Sequence, residues 1–374
     1  MTILFYILGI LITFYILYLV VDKFLIPSIY LLKDRFNLTD DQTGALTSFV
    51  SSAPELSVSM ISLGLAVIAN DQTKFAEISA LGPASVIGSA LFSVLFIVGA
   101  SSWFTGKKLT WHSITRDMVY YLLAVVLLLV VMLDGRIEFF EGLILLIGYG
   151  FYTVLVAKWP AISKKFKLAG TEIIDQDIID KEEELIHIRD TKPTIMNSPA
   201  VAMSYLFFPL KSGFNGPKVT YNVLFSVLLV VVSSYYMVSF AQAIAELASI
   251  PSAIIGLTIL AAGTSVPDLL ASIKTAREGY GDTAITNAIG SNVFDVLGNL
   301  GITWTIGGLL TSFRVIQVDT SSLMSSILLL IASSVVLVCI FFAKKFNLSR
   351  PVSVFLMGSY VLYVIYTCWS VLNK

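Results

Sequence analysis

Charged residues are scarce in this chain, and so are cysteines. Of the 374 residues, 13% are Asp, Glu, Lys or Arg, whereas 56% are hydrophobic. Soluble domains carry about 25% charged residues, so the composition excludes an ordinary water-soluble globular protein. The two cysteines, Cys339 and Cys368, both lie in apolar runs. This placement argues against a disulfide framework and against a cysteine metal cluster.

Long apolar runs account for the missing charge. Residues 323–343 contain no charged residue, and about 20 helical residues cross a bilayer core of roughly 30 Å. The first run is interpreted as a membrane helix and not as a cleaved signal peptide, because no basic residue precedes it. Hydropathy gives ten such runs: 3–21, 44–68, 78–104, 118–133, 139–157, 223–247, 253–276, 283–309, 323–343 and 351–372. The sequence therefore predicts an all-α polytopic membrane protein with ten transmembrane helices.

The runs form two groups of five around one polar segment. This predicts a first membrane half (1–157), a cytoplasmic link (158–217) and a second membrane half (218–374). With the N-terminus outside the cytoplasm, all but four of the 24 Lys and Arg residues fall on the cytoplasmic side. Basic residues near span ends are retained in the cytoplasm, so both termini are predicted to be extracytoplasmic. The four Lys and Arg residues that fall on the other side are Lys74, Arg136, Arg314 and Lys374.

The expected location is the plasma membrane, with an organellar membrane as the alternative.

Two motifs occur once in each half. The stretch "SSAPELSVSMIS" (51–62) matches "TSVPDLLASIKT" (264–275), and "IGSALFSVLFIVG" (87–99) matches "IGSNVFDVLGNLG" (289–301). Two blocks in the same order indicate an internal duplication. Because each half has five predicted spans, the second half should be inverted relative to the first. Inverted repeats bring broken helices together near the bilayer midplane, where substrates bind.

Three acids lie deep inside the predicted spans, namely Glu55, Asp268 and Asp295. A charge at that depth costs about 2.5–3.5 kcal/mol on insertion scales, and we expect no basic side chain to pair with these acids. One alternative is a protonated acid that is hydrogen-bonded to a neighbouring helix. A bound cation is the more natural offset for three acids in duplicated motifs. By contrast, His112 and His187 are expected to be solvated in cytoplasmic links.

The residues around the acids suit a hard cation. Ca²⁺ takes 6–8 oxygen ligands from carboxylates, carbonyls and water. Pro54 and Pro267 remove helical hydrogen bonds and so free carbonyl groups. Gly88 and Gly263 are small residues that allow close helix packing in membranes. Hydroxyl groups are offered by Ser51, Ser52, Thr264 and Ser265, and in the partner helices by Ser89 and Ser291.

These motifs resemble the two alpha repeats of the sodium/calcium exchanger family, within the cation/calcium exchanger superfamily. The stretch "GLTILAAGTSVPDLLASIKTAREGYGDTAITNAIGSNVFD" (256–295) is similar to the second repeat of the potassium-dependent sodium/calcium exchangers. The resemblance implies an antiporter, not an enzyme, that exchanges Ca²⁺ for Na⁺ by alternating access and needs no cofactor. Its partners would be inorganic cations and the lipid bilayer, without nucleic acid. The oligomeric state stays open.

The resemblance also implies a set of ligands. The central acids correspond to Glu55 and Asp268, and backbone ligands are expected near Ser48 and Ala261. Asp295 stands where the potassium-dependent branch has an acid, which favours K⁺ co-transport. The implied hydroxyl ligands are Ser51, Ser52, Ser89, Thr264, Ser265 and Ser291. In "GSALFS", Ser93 replaces an amide that faces the Asp295 position in the family.

Two other functions fit parts of the sequence. A calcium/proton exchanger could use the same carboxylates, although the hydroxyl-rich motifs favour Na⁺, since protons need no coordination shell. The stretch "GYGD" (279–282) is a literal GxGD motif of intramembrane aspartyl proteases. However, Asp282 falls in a charged link at the membrane boundary, and the chain contains no Tyr-Asp dipeptide. The protease is therefore the weaker alternative.

Overall fold

The computed structural model is helical, with one short two-stranded ladder. It describes residues 2–28, 50–69, 72–105, 109, 111–165, 199, 203–207, 216–277, 279, 281–312, 316–317 and 321–372. In the ladder, β1 (Arg136–Ile137) pairs antiparallel with β2 (Ile316–Gln317). Arg136 lies opposite Gln317, and Ile137 lies opposite Ile316. The ladder thus joins a link of the first half of the chain to a link of the second half.

In the described part of the first half, two π-helical turns interrupt the α-helices. The first is Val21–Leu25, at the end of α1, and the second is Phe92–Ile97, between α4 and α5. The helices are α1 (Thr2–Val20), α2 (Ala53–Ile68), α3 (Gln72–Ser79), α4 (Leu81–Leu91), α5 (Val98–Phe104), α6 (Trp111–Met132) and α7 (Phe139–Lys165).

The residues described in the second half also include two π-helical turns. Gly256–Leu260 lies between α9 and α10, and Phe294–Asn299 lies between α12 and α13. The helices are α8 (Gly216–Ala248), α9 (Ser252–Ile255), α10 (Ala261–Thr264), α11 (Val266–Arg277), α12 (Gly281–Val293), α13 (Leu300–Leu310), α14 (Ser321–Ala343) and α15 (Arg350–Leu372).

Among the described residues, eight helices are long and apolar enough to cross a membrane. They coincide with eight of the ten predicted runs. The other two runs are 44–68 and 253–276. They carry the matching stretches 51–62 and 264–275, here called the acid-proline motifs. In the later run, Ser252–Thr264 and Val266–Arg277 meet at a bend of 42°, and in the earlier run the helix Ala53–Ile68 has 16 residues. The protein is a multi-pass integral membrane protein, and its count of ten spans stays a prediction.

The two glycine-serine motifs are the matching stretches 87–99 and 289–301. The helices that carry them form the centre of the molecule. The most apolar part of the span Lys74–Phe104 is 94% buried inside the protein, and that of Gly281–Leu310 is 72% buried. The other six spans bury 17–44% of theirs and expose large apolar side chains such as Phe151. Lipid tails solvate such side chains, so the outer helices need no polar face. Because these helices surround the two central ones, the motifs are shielded from lipid.

Glycines bring α4 into direct contact with the second half. A Cβ atom on Gly88 would overlap the carbonyl oxygen of Leu257 and would lie 2.6 Å from the Cβ of Ala261. A Cβ on Gly256 would lie 2.7 Å from the Cβ of Ala84. The predicted role of Gly88 in close helix packing is confirmed, because two helix backbones meet here with no room for a side chain.

Helix α6 begins earlier than the hydropathy predicted. It starts at Trp111 instead of 118, and His112, which was expected to be solvated in a link, is 8% exposed. The polar residues of its first turns lowered the hydropathy, and two of them, Arg116 and Asp117, pair with each other inside the protein. The guanidinium of Arg116 binds the carboxylate of Asp117, with Nε–Oδ1 at 2.7 Å and Nη2–Oδ2 at 2.9 Å.

Helices extend into both ends of the predicted link 158–217. Helix α7 continues to Lys165, and α8 begins at Gly216. Most of the link, including His187, lies outside the described residues. In the described segment 203–207, the ring of Phe207 stacks on Phe24 at a centroid distance of 4.1 Å. This contact attaches the segment to the end of the first span.

Candidate ion-binding site

The acid-proline motifs follow two helix breaks of the same geometry. Ser52, which precedes α2, has φ −86° and ψ 11°, and Ser265, which separates α10 from α11, has φ −88° and ψ 2°. Each break is followed by a proline, Pro54 or Pro267, at the second position of the new helix. Proline is tolerated there because the first-turn N–H groups have no partner within the helix. The prolines therefore start new helices after the breaks.

The breaks leave both acids at helix starts. The sequence interpretation placed Glu55 and Asp268 well inside predicted spans, and the structure places each in the first turn of the helix that follows the break. The free N–H groups and the dipole of a helix N-terminus stabilise a negative charge there. Exposure of the two side chains is 1% and 5%, respectively. Both carboxylates are thus inside the protein and beside a positive helix end.

A chain of hydroxyl groups connects the two halves at the centre. The Oγ atoms of Ser89 and Ser265 lie 2.6 Å apart. Ser265 in turn donates to Oε1 of Glu55 at 3.5 Å, which is long for an O–H···O bond. Ser89 and Glu55 belong to the first half and Ser265 to the second, so the candidate site is shared by both halves.

The three acids lie within electrostatic range of one another. The charges of Asp295 and Asp268 both act on Glu55, and that of Asp268 acts on Asp295. Within the described ranges, however, no three His, Cys, Asp or Glu side chains are close enough together to hold a metal ion by themselves. The carboxylates are therefore neighbours but not a compact trio. A cation between them would need further oxygens from hydroxyl and carbonyl groups.

Several buried oxygens at this place have no hydrogen-bond partner in the described part of the chain. They are Oε2 of Glu55, Oδ1 of Asp295 and Oγ of Ser52. The Ser52 hydroxyl nevertheless lies near enough to Asp295 to interact with its carboxylate. A buried oxygen without a partner costs about 1–3 kcal/mol. A cation, or water, would supply the missing interaction.

Basic side chains act on neither Glu55 nor Asp295 among the interactions described for them. Helix α11 does carry Lys274 and Arg277 in its last turn, so basic residues share a helix with Asp268. The guanidinium of Arg277 lies 4.3 Å from the ring centroid of Phe104. Among the interactions described for Glu55 and Asp295, no basic side chain balances their negative charges.

Two of the predicted hydroxyl ligands bond to their own helices. Thr264 donates to the carbonyl of Ala261 at 3.3 Å, and Ser291 donates to the carbonyl of Ala288 at 3.2 Å. The Ala261 carbonyl also accepts the N–H of Ser265 at 3.3 Å. A hydroxyl that donates in this way keeps its oxygen lone pairs, which can still coordinate a cation. Ser51 is buried near the break, and Ser48 lies outside the described residues.

The remaining predicted residues lie in π-helical turns. Ser93 is the second residue of Phe92–Ile97, and Asp295 is the second residue of Phe294–Asn299. The two turns occupy matching positions in the aligned motifs. Single π-helical turns occur frequently at functional sites. Both side chains are 1% exposed.

Sequence reasoning missed two buried amides in the same region. Asn292 donates from Nδ2 to the carbonyl of Ala90 at 3.5 Å, and its Oδ1 atom has no partner in the described part. Asn299 accepts from Thr303 at 3.4 Å, whereas its Nδ2 atom has no partner there. The sequence could have indicated both amides, because they lie in the second glycine-serine motif at positions where the first motif has alanine and isoleucine.

Broken helices and buried acids at the centre of a helical bundle form the architecture of a secondary ion transporter. The model of the family described as sodium/calcium exchanger protein matches residues 6–158 and 218–369. These two blocks make up more than half of the chain, and the chain belongs to this family. The family is one of exchangers and not of enzymes.

Relatives of known function match nearly the whole chain. Sodium/potassium/calcium exchanger 4 of Homo sapiens is 26% identical over 520 residues, which cover 99% of this chain and 81% of that protein. Sodium/potassium/calcium exchanger 3 of Homo sapiens is 24% identical, with 96% of this chain and 79% of that protein covered. The similarity to potassium-dependent exchangers seen in the motifs is confirmed.

Two solved structures share the fold. The H⁺/Ca²⁺ exchanger CAX superposes with a TM-score of 0.59 at 14% identity and covers 98% of this chain and 87% of that one. The sodium-calcium exchanger NCX_Mj superposes with a TM-score of 0.53 at 20% identity and covers 97% of this chain and 99% of that one. At these identities the likeness concerns the fold alone.

Proposed function

We propose that this protein is a secondary active antiporter that exchanges Ca²⁺ for Na⁺ by alternating access. The observation that carries the proposal is the buried link from Ser89 through Ser265 to Glu55, with Asp268 and Asp295 within electrostatic range. It brings hydroxyl oxygens of both halves to buried carboxylates, and two of these, Glu55 and Asp295, have no basic side chain among the interactions described for them. The names of the relatives, which exchange sodium, potassium and calcium, support the same choice of ions.

The proposed ligands are oxygens of three kinds. Carboxylates attract the divalent ion, hydroxyls complete its shell, and carbonyls at the helix breaks contribute dipoles. The carboxylates are those of Glu55, Asp268 and Asp295. The hydroxyls are those of Ser51, Ser52, Ser89, Ser93, Thr264, Ser265 and Ser291, and the carbonyls are those near Ser48 and Ala261.

We further propose ten spans in two inverted five-helix repeats, 1–157 and 218–374, joined by the cytoplasmic link 158–217. Three observations support this. The breaks at Ser52 and Ser265 have matching backbone angles, the π-helical turns fall at matching positions, and the family model matches two blocks and leaves 159–217 unmatched. Both termini are proposed to lie outside the cytoplasm.

Exchange follows if Ca²⁺ and Na⁺ compete for the same oxygens. One small group of carboxylates has too little charge to hold Ca²⁺ and a full set of Na⁺ ions together. A ligand shifts a conformational equilibrium only by its differential affinity for the two states. Coupling therefore requires that the occupied site permits the switch between inward and outward openings, whereas the empty, charged site resists it.

Proteoliposomes with Na⁺, K⁺ and H⁺ gradients set independently would test the exchange. Sodium-gradient-dependent ⁴⁵Ca uptake should vanish in Glu55→Gln and in Asp268→Asn, because each change removes one buried negative charge. The matched control is Glu246→Gln, since Glu246 is an exposed acid near the end of α8. Unchanged uptake in both site variants would refute the proposal.

Proton exchange is the second candidate, because buried carboxylates such as those of Glu55 and Asp295 can also carry protons. One of the solved structures with this fold is that of an H⁺/Ca²⁺ exchanger, which supports this candidate. A pH jump in the absence of Na⁺ distinguishes the two. Calcium flux driven by the pH jump alone would assign H⁺ as the counter-ion, whereas flux that requires Na⁺ supports the first proposal.

A further inference from the structure

Several helix ends meet on one side of the helical bundle, around the end of α5. Helix α5 packs against α11 and α15, and a Cβ on Gly99 would lie 3.1 Å from the carbonyl oxygen of Ser353, near the start of α15. The turn between α14 and α15 lies there too, since the N–H of Leu109 donates to the carbonyl of Phe346 at 2.9 Å. The ends of α5 and α11 and the start of α15 therefore share one surface.

This surface carries an excess of positive charge. The stretches of sequence at these ends, 104–109, 274–282 and 344–350, contain seven Lys and Arg residues and two acidic residues. Four of the basic side chains are described and exposed, and they are here called the basic patch: Arg277, Lys344, Lys345 and Arg350. Within the described ranges, none of these four forms an ion pair with a carboxylate. Their charges are available to an external partner.

Aromatic rings hold the two arginines in place. The guanidinium of Arg277 lies 4.3 Å from the ring centroid of Phe104, and that of Arg350 lies 5.5 Å from the ring centroid of Trp103. A guanidinium held over a ring can still donate its N–H groups to a phosphate. The two rings are 36% and 38% exposed, respectively, and tryptophan is enriched at the membrane-water interface. The arginines are thus fixed at the depth where the headgroups of a leaflet begin.

The two lysines lie on a turn that is anchored by a buried ring. Lys345 and Phe346 have φ angles of 50° and 60°, in the left-handed region. The Phe346 side chain is 6% exposed and stacks on Phe341 at a centroid distance of 5.5 Å. Because Phe346 points into the protein, the turn presents Lys344 and Lys345 to the surroundings.

We propose that the basic patch binds the headgroups of anionic phospholipids. Exposed Lys and Arg residues next to a membrane helix attract anionic lipids, which are concentrated in the cytoplasmic leaflet. The patch faces that leaflet under the topology proposed above. Charge selects the lipid here, because the four side chains carry positive charge and lie in the open. Phosphatidylserine therefore binds better than phosphatidylcholine with the same acyl chains.

Native mass spectrometry of the delipidated full-length protein, titrated with an equal mixture of these two lipids, would test the patch. Wild type should retain phosphatidylserine preferentially as its first lipid. One basic residue contributes about five-fold to the attraction, so Arg277→Gln, Arg350→Gln and Lys344→Gln should each lower the ratio of bound phosphatidylserine to phosphatidylcholine by about that factor. Arg277→Lys keeps the charge and should keep most of the preference.

The matched control is Lys158→Gln, which removes an exposed charge near the end of α7, a helix that packs against α6 and α13 instead. It should change the ratio little. The screening length falls from about 10 Å at 0.1 M salt to about 3 Å at 1 M, so high salt should weaken the preference of the wild type.

Equal ratios in wild type and the three charge variants would overturn the proposal, and so would an equal loss in Lys158→Gln. Inorganic phosphate at the lipid concentration should not displace phosphatidylserine, because it lacks the acyl chains that keep a headgroup at the interface. Displacement would assign the patch to free phosphate and would also overturn the proposal. If an arginine variant fails to fold, Lys344→Gln on the exposed turn still decides the question. The readout is lipid retention, so it stands apart from the test of the exchange.

Discussion

Gly88 provides a quantitative test of the packing at the centre of the molecule. In Gly88→Ala, the new methyl group would meet the carbonyl oxygen of Leu257 and would lie 2.6 Å from the Cβ of Ala261. Carbon atoms in contact prefer a separation of about 3.5–4.0 Å. Helix α4 and the π-helical turn Gly256–Leu260 must therefore move apart to accommodate it.

Overpacking a core by one methyl group typically costs 1–3 kcal/mol. The upper half of this range applies to Gly88→Ala, about 2–3 kcal/mol, because one obstacle is a backbone carbonyl that cannot rotate away. A loss of 1 kcal/mol lowers the unfolding midpoint by roughly 2 °C in larger domains, so we expect a decrease of about 5 °C. Transport should fall as well, because Ala261 and the break at Ser265 directly follow the displaced turn.

Thermal unfolding in detergent, followed by fluorescence, measures the effect. The matched control is Gly64→Ala, since a Cβ on Gly64 meets no atom within 4 Å. The control should leave the midpoint unchanged or raise it by up to about 2 °C, because it adds a methyl group in open space and favours the helix by up to about 1 kcal/mol. If Gly88→Ala unfolds at the wild-type temperature, or if both variants are destabilised equally, the close approach of the two halves is refuted.

Three further changes test individual groups of the site and its support. If K⁺ is co-transported, as the resemblance implies, Asp295→Asn should remove the dependence of ⁴⁵Ca uptake on K⁺ while sodium-driven uptake persists; K⁺ dependence retained in the variant would contradict the role given to this acid. Ser89→Ala removes the 2.6 Å hydrogen bond to Ser265 and should raise the half-saturating Ca²⁺ concentration about five-fold, whereas an unchanged value would remove Ser89 from the site. Tyr152→Phe removes the 3.2 Å bond to Asp117 and should lower thermal stability without changing half-saturation for Ca²⁺.

Hydropathy was sufficient to predict most of the spans because the bilayer imposes a simple rule. A segment that crosses it must be apolar, about 20 residues long and helical, since every backbone group needs a partner within the segment. Residues 323–343 satisfy this rule without any tertiary information, and α14 contains them all. The rule failed where polar residues find partners inside the protein, as Arg116 and Asp117 do at the start of α6.

The geometry of the candidate site could be predicted only in part. Pro54 and Pro267 predict disturbed helices, but a proline within a span can either kink a helix or start a new one. In the structure each proline starts a new helix, and Glu55 therefore lies in the first turn of α2. No sequence pattern predicts the π-helical turn at Phe92–Ile97. The contact between Ser89 and Ser265 joins residues 176 positions apart, so it depends on how the two halves pack.

The electrostatics of the site decide which ions allow it to close. Glu55 and Asp295 are each 1% exposed, and burying like charges together is unfavourable unless something compensates them. The helix N-terminus beside Glu55 offers only a partial charge. Under the proposed function, Ca²⁺ supplies two positive charges in one ion, whereas Na⁺ must bind in more than one copy to supply the same compensation. Under the same proposal the empty site has neither, so repulsion among the buried carboxylates opposes the closed state when no cation is bound. This restriction would turn competition for shared oxygens into exchange.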